Sequence, residues 1–264
     1  MEVCYRHPKR ETGVSCSNCG RPICPDCMTS TSVGMRCPEC ARQGTPVRTM
    51  RSLGTDPMLT YVLIAINVVA SLGSSFGGNV GSSGSLNDAG DLSRGSMAAG
   101  DYWTLITSAF LHVNLFHLLS NMLALWILGT LVEPILGRVR FGLVYFVALL
   151  CGSLGVLLYS ADPSVGASGA VFGLMGAAVV VARNRGLNLM ESGLGIWLGI
   201  NLLITFTIPH ISIGAHIGGL IGGAFAAFVL LELGERRGVP QYLPELLCAA
   251  IGLVAVGVSI AQYG

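Results

Sequence analysis

The chain has 264 residues, of which 52% are hydrophobic and 11% charged, with a mean hydropathy of +0.67. That is more apolar surface than one soluble core buries, which points to a polytopic membrane protein. A formal net charge of +1, with Lys9 as the single lysine, excludes a basic face for nucleic acid.

Read from its start, the chain falls into two unlike parts: a cysteine-rich module and linker over residues 1–57, and a membrane domain over 58–264. The first forty residues are polar and rich in cysteine, without the apolar middle and small-residue cleavage site of a secretory signal, so no cleaved leader is expected. Residues 1–57 carry seven of the nine cysteines and eight of the fifteen Lys and Arg. The metal-ligating residue types come in four pairs at two-residue gaps: Cys4/His7, Cys16/Cys19, Cys24/Cys27 and Cys37/Cys40. Such a gap lets both side chains of a tight turn reach one tetrahedral ion, and eight ligands complete two zinc sites. Disulfides are the competing reading, disfavoured by the odd cysteine count and the paired histidine. The spacing allows sequential and crossed pairing alike. The segment resembles small treble-clef and B-box-like zinc modules, and that resemblance implies cross-bracing, with Cys4, His7, Cys24 and Cys27 on one ion and Cys16, Cys19, Cys37 and Cys40 on the other. Both Zn2+ ions are expected to be structural, because a fifty-residue segment with few large apolar side chains needs metal to fold. Its expected role is to dock a cytoplasmic protein partner or to regulate, with no cofactor for catalysis.

Seven apolar segments follow, over 58–73, 112–132, 141–160, 168–182, 192–208, 211–233 and 243–262, each long enough for a helix in a lipid bilayer. Between the first two lies a glycine- and serine-rich stretch, 74–101, expected to be a long loop. Arg138, Arg140, Arg183, Arg185, Arg236 and Arg237 fall in alternate loops, and only Arg94 lies on the opposite side. Positively charged loops stay inside, so the N-terminus is expected in the cytoplasm and, after seven spans, the C-terminus outside. A bacterial plasma membrane is the default location. The cytoplasm is reducing, which favours thiolate ligands over disulfides.

The fourth segment is short. Fifteen residues at 1.5 Å each cover roughly 22 Å of a hydrocarbon layer about 30 Å thick, so Ser168 is expected below the outer surface. Residues 162–167 then descend as non-helical backbone, which a bilayer tolerates only beside protein or a water-filled cavity. His216 lies five residues into the sixth segment and His117 five residues below His112 in the second. Asn121 follows His117 at i+4 on the same face. A hydroxyl and an imidazole are costly in hydrocarbon unless they meet each other or water. Gly169, Gly173 and Gly176, with Gly219 and Gly223 on the His216 face, are packing devices that let helices approach closely. Ser168 then reads as a nucleophile and His216 as its general base. His117, the Asn121 amide and the Ser168 backbone N–H are oxyanion donors. No acid is placed to orient His216, since Glu133 belongs at the inner end of its segment and Asp162 in an outer loop, so a dyad is expected. His112 and His210 are expected at the rim or in substrate guidance.

At these residues the chain resembles the rhomboid family of intramembrane serine proteases over about 57–264. The resemblance is carried by Gly166, Ser168 and Gly169 of a GxSG helix start, by Ala215, His216, Gly219 and Gly223 of an AHxxGxxxG helix, and by His117 and Asn121 of HxxxN. Residues 107–112 before that motif, and Glu133 and Gly137 after it, match as well. It implies an all-α polytopic fold, a six-helix core with one added C-terminal helix, and cleavage of membrane-anchored proteins near the outer face by Ser168 and His216. Thr104 stands where many members place an arginine after the loop tryptophan, here Trp103. Phe172 stands where many stack a tyrosine on the catalytic histidine. The rival reading is a non-catalytic rhomboid-like protein that binds client transmembrane helices; its members typically lack the serine or the histidine, and both are present. A transporter is disfavoured because segments two, four and six are not copies of one another.

Overall fold

The protein is described here by a computed structural model covering residues 2–31, 34–42, 56–76, 90–159, 162–188, 191, 193–208, 211–234, 238–240 and 242–264. His210, Arg236 and Arg237 lie outside the described residues. The chain divides into two compact units, Met1–Ser52 and Leu53–Gly264.

In the first unit two short antiparallel hairpins carry the turns. One pairs β1 (Glu2–Val3) with β2 (Glu11–Thr12), the other β3 (Thr29–Thr31) with β4 (Gly34–Arg36). A 3-10 turn at Pro25–Cys27 and the short helix α1 (Pro38–Arg42) complete the unit. Its interior is Ile23 together with six cysteines, among them Cys24 and Cys37 at 0% exposure. Thiols occupy the positions that hydrocarbon fills in a larger domain.

The second unit is helical. Its long helices are α2 (Met58–Phe76), α5 (Leu115–Leu136), α6 (Arg138–Tyr159), α7 (Ser168–Asn184), α8 (Leu194–Thr207), α9 (Ile213–Gly234) and α10 (Leu243–Tyr263), with α3 (Arg94–Ala98) and α4 (Thr104–Thr107) between α2 and α5. Four of them, α5, α6, α9 and α10, are long and apolar enough to cross a membrane, while α2, α7 and α8 are shorter apolar helices. Helices α5 and α9 begin at Leu115 and Ile213, two to three residues later than hydropathy alone suggests. Asn114 sets the first of these starts by accepting a hydrogen bond from the backbone N–H of His117 at 2.8 Å. His117 and His216 consequently stand in first turns.

Helix α5 runs on past Val132 to Leu136 and stops at Gly137, whose φ of 79° is open to glycine and strained for other residues. In that last turn the fully buried Glu133 accepts hydrogen bonds from the backbone N–H groups of Leu59 and Thr60 and from the Thr60 hydroxyl, at 2.9, 2.8 and 2.7 Å. A carboxylate from one helix thus satisfies the orphan donors at the N-terminus of another, α2, where the helix dipole favours negative charge.

Helix α9 packs through two glycine faces. On one, a Cβ at Gly219 would stand 2.0 Å from the Gly169 carbonyl oxygen, and one at Gly223 would stand 2.3 Å from that of Gly173, so α9 and α7 meet backbone to backbone. On the other, Gly214 and Gly218 press in the same way on Gly155 and Cys151 of α6, at 2.1 and 2.4 Å. The first stripe is legible as a motif; the second emerges only from the packing. Small residues supply this closeness because lipid gives helices no hydrophobic reason to associate, leaving van der Waals contact to hold them.

The stretch expected as a loop over 74–101 contains structure in its described part. Helix α3 has a capping box made by Ser93 and Ser96, and Leu92 pairs with Ser164 through backbone bonds of 3.0 and 2.9 Å. Serines read from composition as loop formers here serve as helix caps.

Candidate active site and metal-ligand clusters

Residues 162–167, before α7, are non-helical, and three ties hold them: the Leu92–Ser164 pair and the Gly166 backbone N–H, which donates to the Ser108 carbonyl at 2.8 Å. Gly166 has φ 128°, and a Cβ there would lie 2.6 Å from Cε1 and 2.8 Å from Nε2 of His117. Only a glycine lets this backbone lie against the imidazole. The turn carrying Ser168 and the first turn of α5 are thereby in contact.

On the other side of Ser168, Phe172 follows at i+4, on the same helical face. Its ring stacks on the His216 imidazole with centroids 3.9 Å apart and planes at 17°. Both residues are buried. With α7 and α9 in backbone contact at Gly169 and Gly219, the four predicted residues come from the start of α5, the start of α7 and the start of α9. Among the described residues no hydrogen bond joins Ser168 directly to His216. Catalytic hydrogen bonds are commonly long in substrate-free sites and tighten in complexes.

Asn121 is buried and donates one amide hydrogen to the His117 carbonyl at 3.0 Å. A carboxamide carries two donors, so the second is available for an oxyanion. The His117 Nδ1 is buried and has no hydrogen-bond partner.

His112 does not stand at a rim. It is 3% exposed, bonds the Ser71 hydroxyl of α2 through Nδ1 at 3.0 Å, and meets the His117 ring edge-on at 5.0 Å between centroids. It backs His117 from behind, because α5 starts after it and turns its side chain inward.

Two residues escaped the sequence reading. Arg94 entered only as a charge in a topology count, yet its Nε donates to the Leu157 carbonyl at 2.8 Å and its guanidinium lies 5.3 Å from the centre of the Tyr263 ring. It anchors the α3–α4 segment to α6 and α10, while Thr104 is buried and bonds the Asp101 carbonyl at 2.7 Å. The second is Thr205 of α8, whose Oγ1 lies 2.7 Å from His216 Nδ1. Neither a threonine in an apolar helix nor a lone loop arginine carries a sequence signal of such a role.

In the first unit, the ligand atoms of Cys4, His7, Cys24 and Cys27 all lie within 4.8 Å of one another, as do those of Cys16, Cys19, Cys37 and Cys40. The crossed arrangement is the one observed. His7 offers Nδ1, at 3.3 and 3.4 Å from the sulfurs of Cys24 and Cys27. The backbone N–H of Cys37 points at the Cys16 sulfur and draws its pKa down to about 6. Burial, with the neighbouring Cys4 and Cys24 sulfurs, pushes Cys27 up to about 11. Closely grouped sulfurs of this kind suit a divalent cation that neutralises them together.

An all-α membrane unit with a serine, two histidines and an asparagine gathered at helix starts defines the class, a multi-pass protein of the intramembrane-protease type. The rhomboid domain model matches residues 99–233, and the chain belongs to the rhomboid family. It is similar to rhomboid protease GluP of Bacillus subtilis, 37% identical over 213 residues that cover 79% of this chain and 41% of that protein. It is also similar to RHOMBOID-like protein 5 of Arabidopsis thaliana, 35% identical over 170 residues, 60% of this chain and 54% of the relative. RHOMBOID-like protein 7 of the same plant is 36% identical over 159 residues, 57% of this chain and 50% of the relative. The chain thus spans about two fifths to a little over half the length of these relatives.

Proposed function

We propose that this protein is an intramembrane serine endopeptidase that cleaves membrane-anchored proteins near the outer face of the bilayer. Ser168 is the nucleophile and His216 its base; His117, the free Asn121 amide hydrogen and the Ser168 backbone N–H stabilise the oxyanion. One observation carries this reading: the His216 ring is stacked on Phe172, one helical turn from Ser168, while His117 lies against Gly166, two residues before Ser168. In the reaction, the Ser168 oxygen attacks the scissile carbonyl carbon as His216 takes its proton, and the carbonyl electron pair moves onto oxygen toward the donors. His216 then returns the proton to the leaving amine as the C–N bond breaks, and water deprotonated by the same imidazole hydrolyses the resulting ester to free Ser168. The similarity to a protein named rhomboid protease GluP supports the activity.

The N-terminal module is proposed to lie in the cytoplasm and to hold two structural Zn2+ ions in its two crossed clusters. It would dock a cytoplasmic protein partner and take no part in the chemistry. A fluorophosphonate probe on the detergent-solubilised protein tests the central claim: Ser168 should be labelled, and Ser168→Ala and His216→Ala should each abolish labelling with the fold intact. Equal labelling of wild type and Ser168→Ala rejects Ser168 as the nucleophile, and no labelling of the folded wild type leaves a scaffold that binds client helices.

A further inference from the structure

Resting on that reading of Ser168 and His216, we infer that Thr205 is a positioning residue that holds His216 as its Nδ1–H tautomer, an uncharged third member behind the dyad. Thr205 stands in the last turn of α8 and is 1% exposed. Its Oγ1 makes two contacts, 2.8 Å to the Asn201 carbonyl one turn back and 2.7 Å to His216 Nδ1.

A hydroxyl has one proton and two lone pairs. A carbonyl only accepts, so the bond to Asn201 consumes the Thr205 proton. The contact with Nδ1 is then a bond only if the imidazole donates. The opposite arrangement, with the hydroxyl turned toward a bare Nδ1, keeps one hydrogen bond where the first keeps two. In a buried site the fully paired arrangement prevails.

With the proton on Nδ1, Nε2 carries the lone pair, and that is the form able to accept the proton of Ser168. The Phe172 stack sets the plane of the ring, and Thr205 sets which edge points away from the nucleophile. After proton transfer the imidazolium still donates from Nδ1 to the Thr205 oxygen, whose own hydrogen stays on Oγ1 and remains donated to the Asn201 carbonyl. A carboxylate in this place would stabilise the cation more, at the cost of a charge buried among membrane helices. A hydroxyl orients without that cost.

The test compares wild type, Thr205→Val, Thr205→Ser and Ser168→Ala as full chains in detergent. Val keeps the shape and loses the acceptor. Its inactivation rate constant with a fluorophosphonate should fall by about tenfold or more, with the probe's half-saturation unchanged, and Ser should restore it. A ring-15N histidine spectrum gives a readout independent of activity, with the His216 signals assigned by their loss in His216→Gln. Wild type should show the proton on Nδ1, and Thr205→Val should lose that preference. A wild-type His216 protonated on Nε2, or a Thr205→Val enzyme with unchanged inactivation, overturns the inference. Should Thr205→Val not fold, the wild-type spectrum and the Ser variant still decide. An absence of Ser168 labelling in wild type would instead sink the dyad, a result distinct from any change in the tautomer.

Discussion

In the cysteine module the ligand atoms come from residues separated by a two-residue gap, four times over, and each pair shares one turn. In the membrane unit the polar groups at residues 117, 168, 205 and 216 come from four helices, and nothing local aims one at another. Turn geometry brings each pair of ligands together before any tertiary structure exists, and a cation bound by both pairs of a cluster would join the halves of the module. The membrane site depends on close approaches at glycines: a Cβ at Gly219 would stand 2.0 Å from the Gly169 carbonyl oxygen, and one at Gly166 would stand 2.6 Å from the His117 ring. Local chemistry organises one region and packing geometry the other, and each should therefore fail differently.

The largest effect separates the two at once. Chelation of the full chain should unfold residues 2–42, since structural zinc contributes about 10 kcal/mol or more per site, and leave the helices of the second unit protected. Hydrogen exchange measures both regions in one sample; a module still protected after chelation would erase the contrast. Next, Gly219→Val drives a side chain into the Gly169 carbonyl, 2.0 Å from an ideal Cβ. A loss of about 3 kcal/mol or more is expected, read as a lower thermal midpoint and absent probe labelling. Gly199→Val is the matched control, because a Cβ there meets nothing within 4 Å.

A smaller loss is expected for Glu133→Ala, which orphans two N–H groups at the start of α2. About 2 kcal/mol should go, and exchange should speed up first at Leu59 and Thr60. Uniform exchange across α2 would contradict the capping role. The smallest effect lies back in the module, where the Tyr5 hydroxyl holds the half-buried Glu39 carboxylate down at about 2. A depressed pKa stabilises the fold above the ordinary carboxylate range and loses that contribution as the pH falls toward 2. Metal-loaded Glu39→Gln should show a weaker acid dependence of its unfolding midpoint than wild type in that window; identical profiles would remove Glu39 from the account.

Much of this architecture is legible in the chain itself. Seven apolar runs mark the helices to within a few residues, because hydropathy reports what lipid requires of each segment separately. The exact starts of α5 and α9 were not, since Asn114 shifts the first by a cap that hydropathy does not see. The serines of the segment before Thr104 look like loop composition, and only their reciprocal bonds make them a helix cap.

The sequence by itself determined the class of the protein, the cysteine pairs, and the motifs around Ser168, His216, His117 and the Gly219 stripe, because each is a short pattern whose chemistry is carried within one turn or one helix. Spacing left the pairing of the clusters open, and the crossed sets that the resemblance implied are those the tertiary structure assembles; tertiary structure alone decided the second glycine face of α9, the burial of His112 behind His117, the anchoring by Arg94 and the contact of Thr205 with His216. Those depend on which elements become neighbours, a matter of packing between residues distant in the chain.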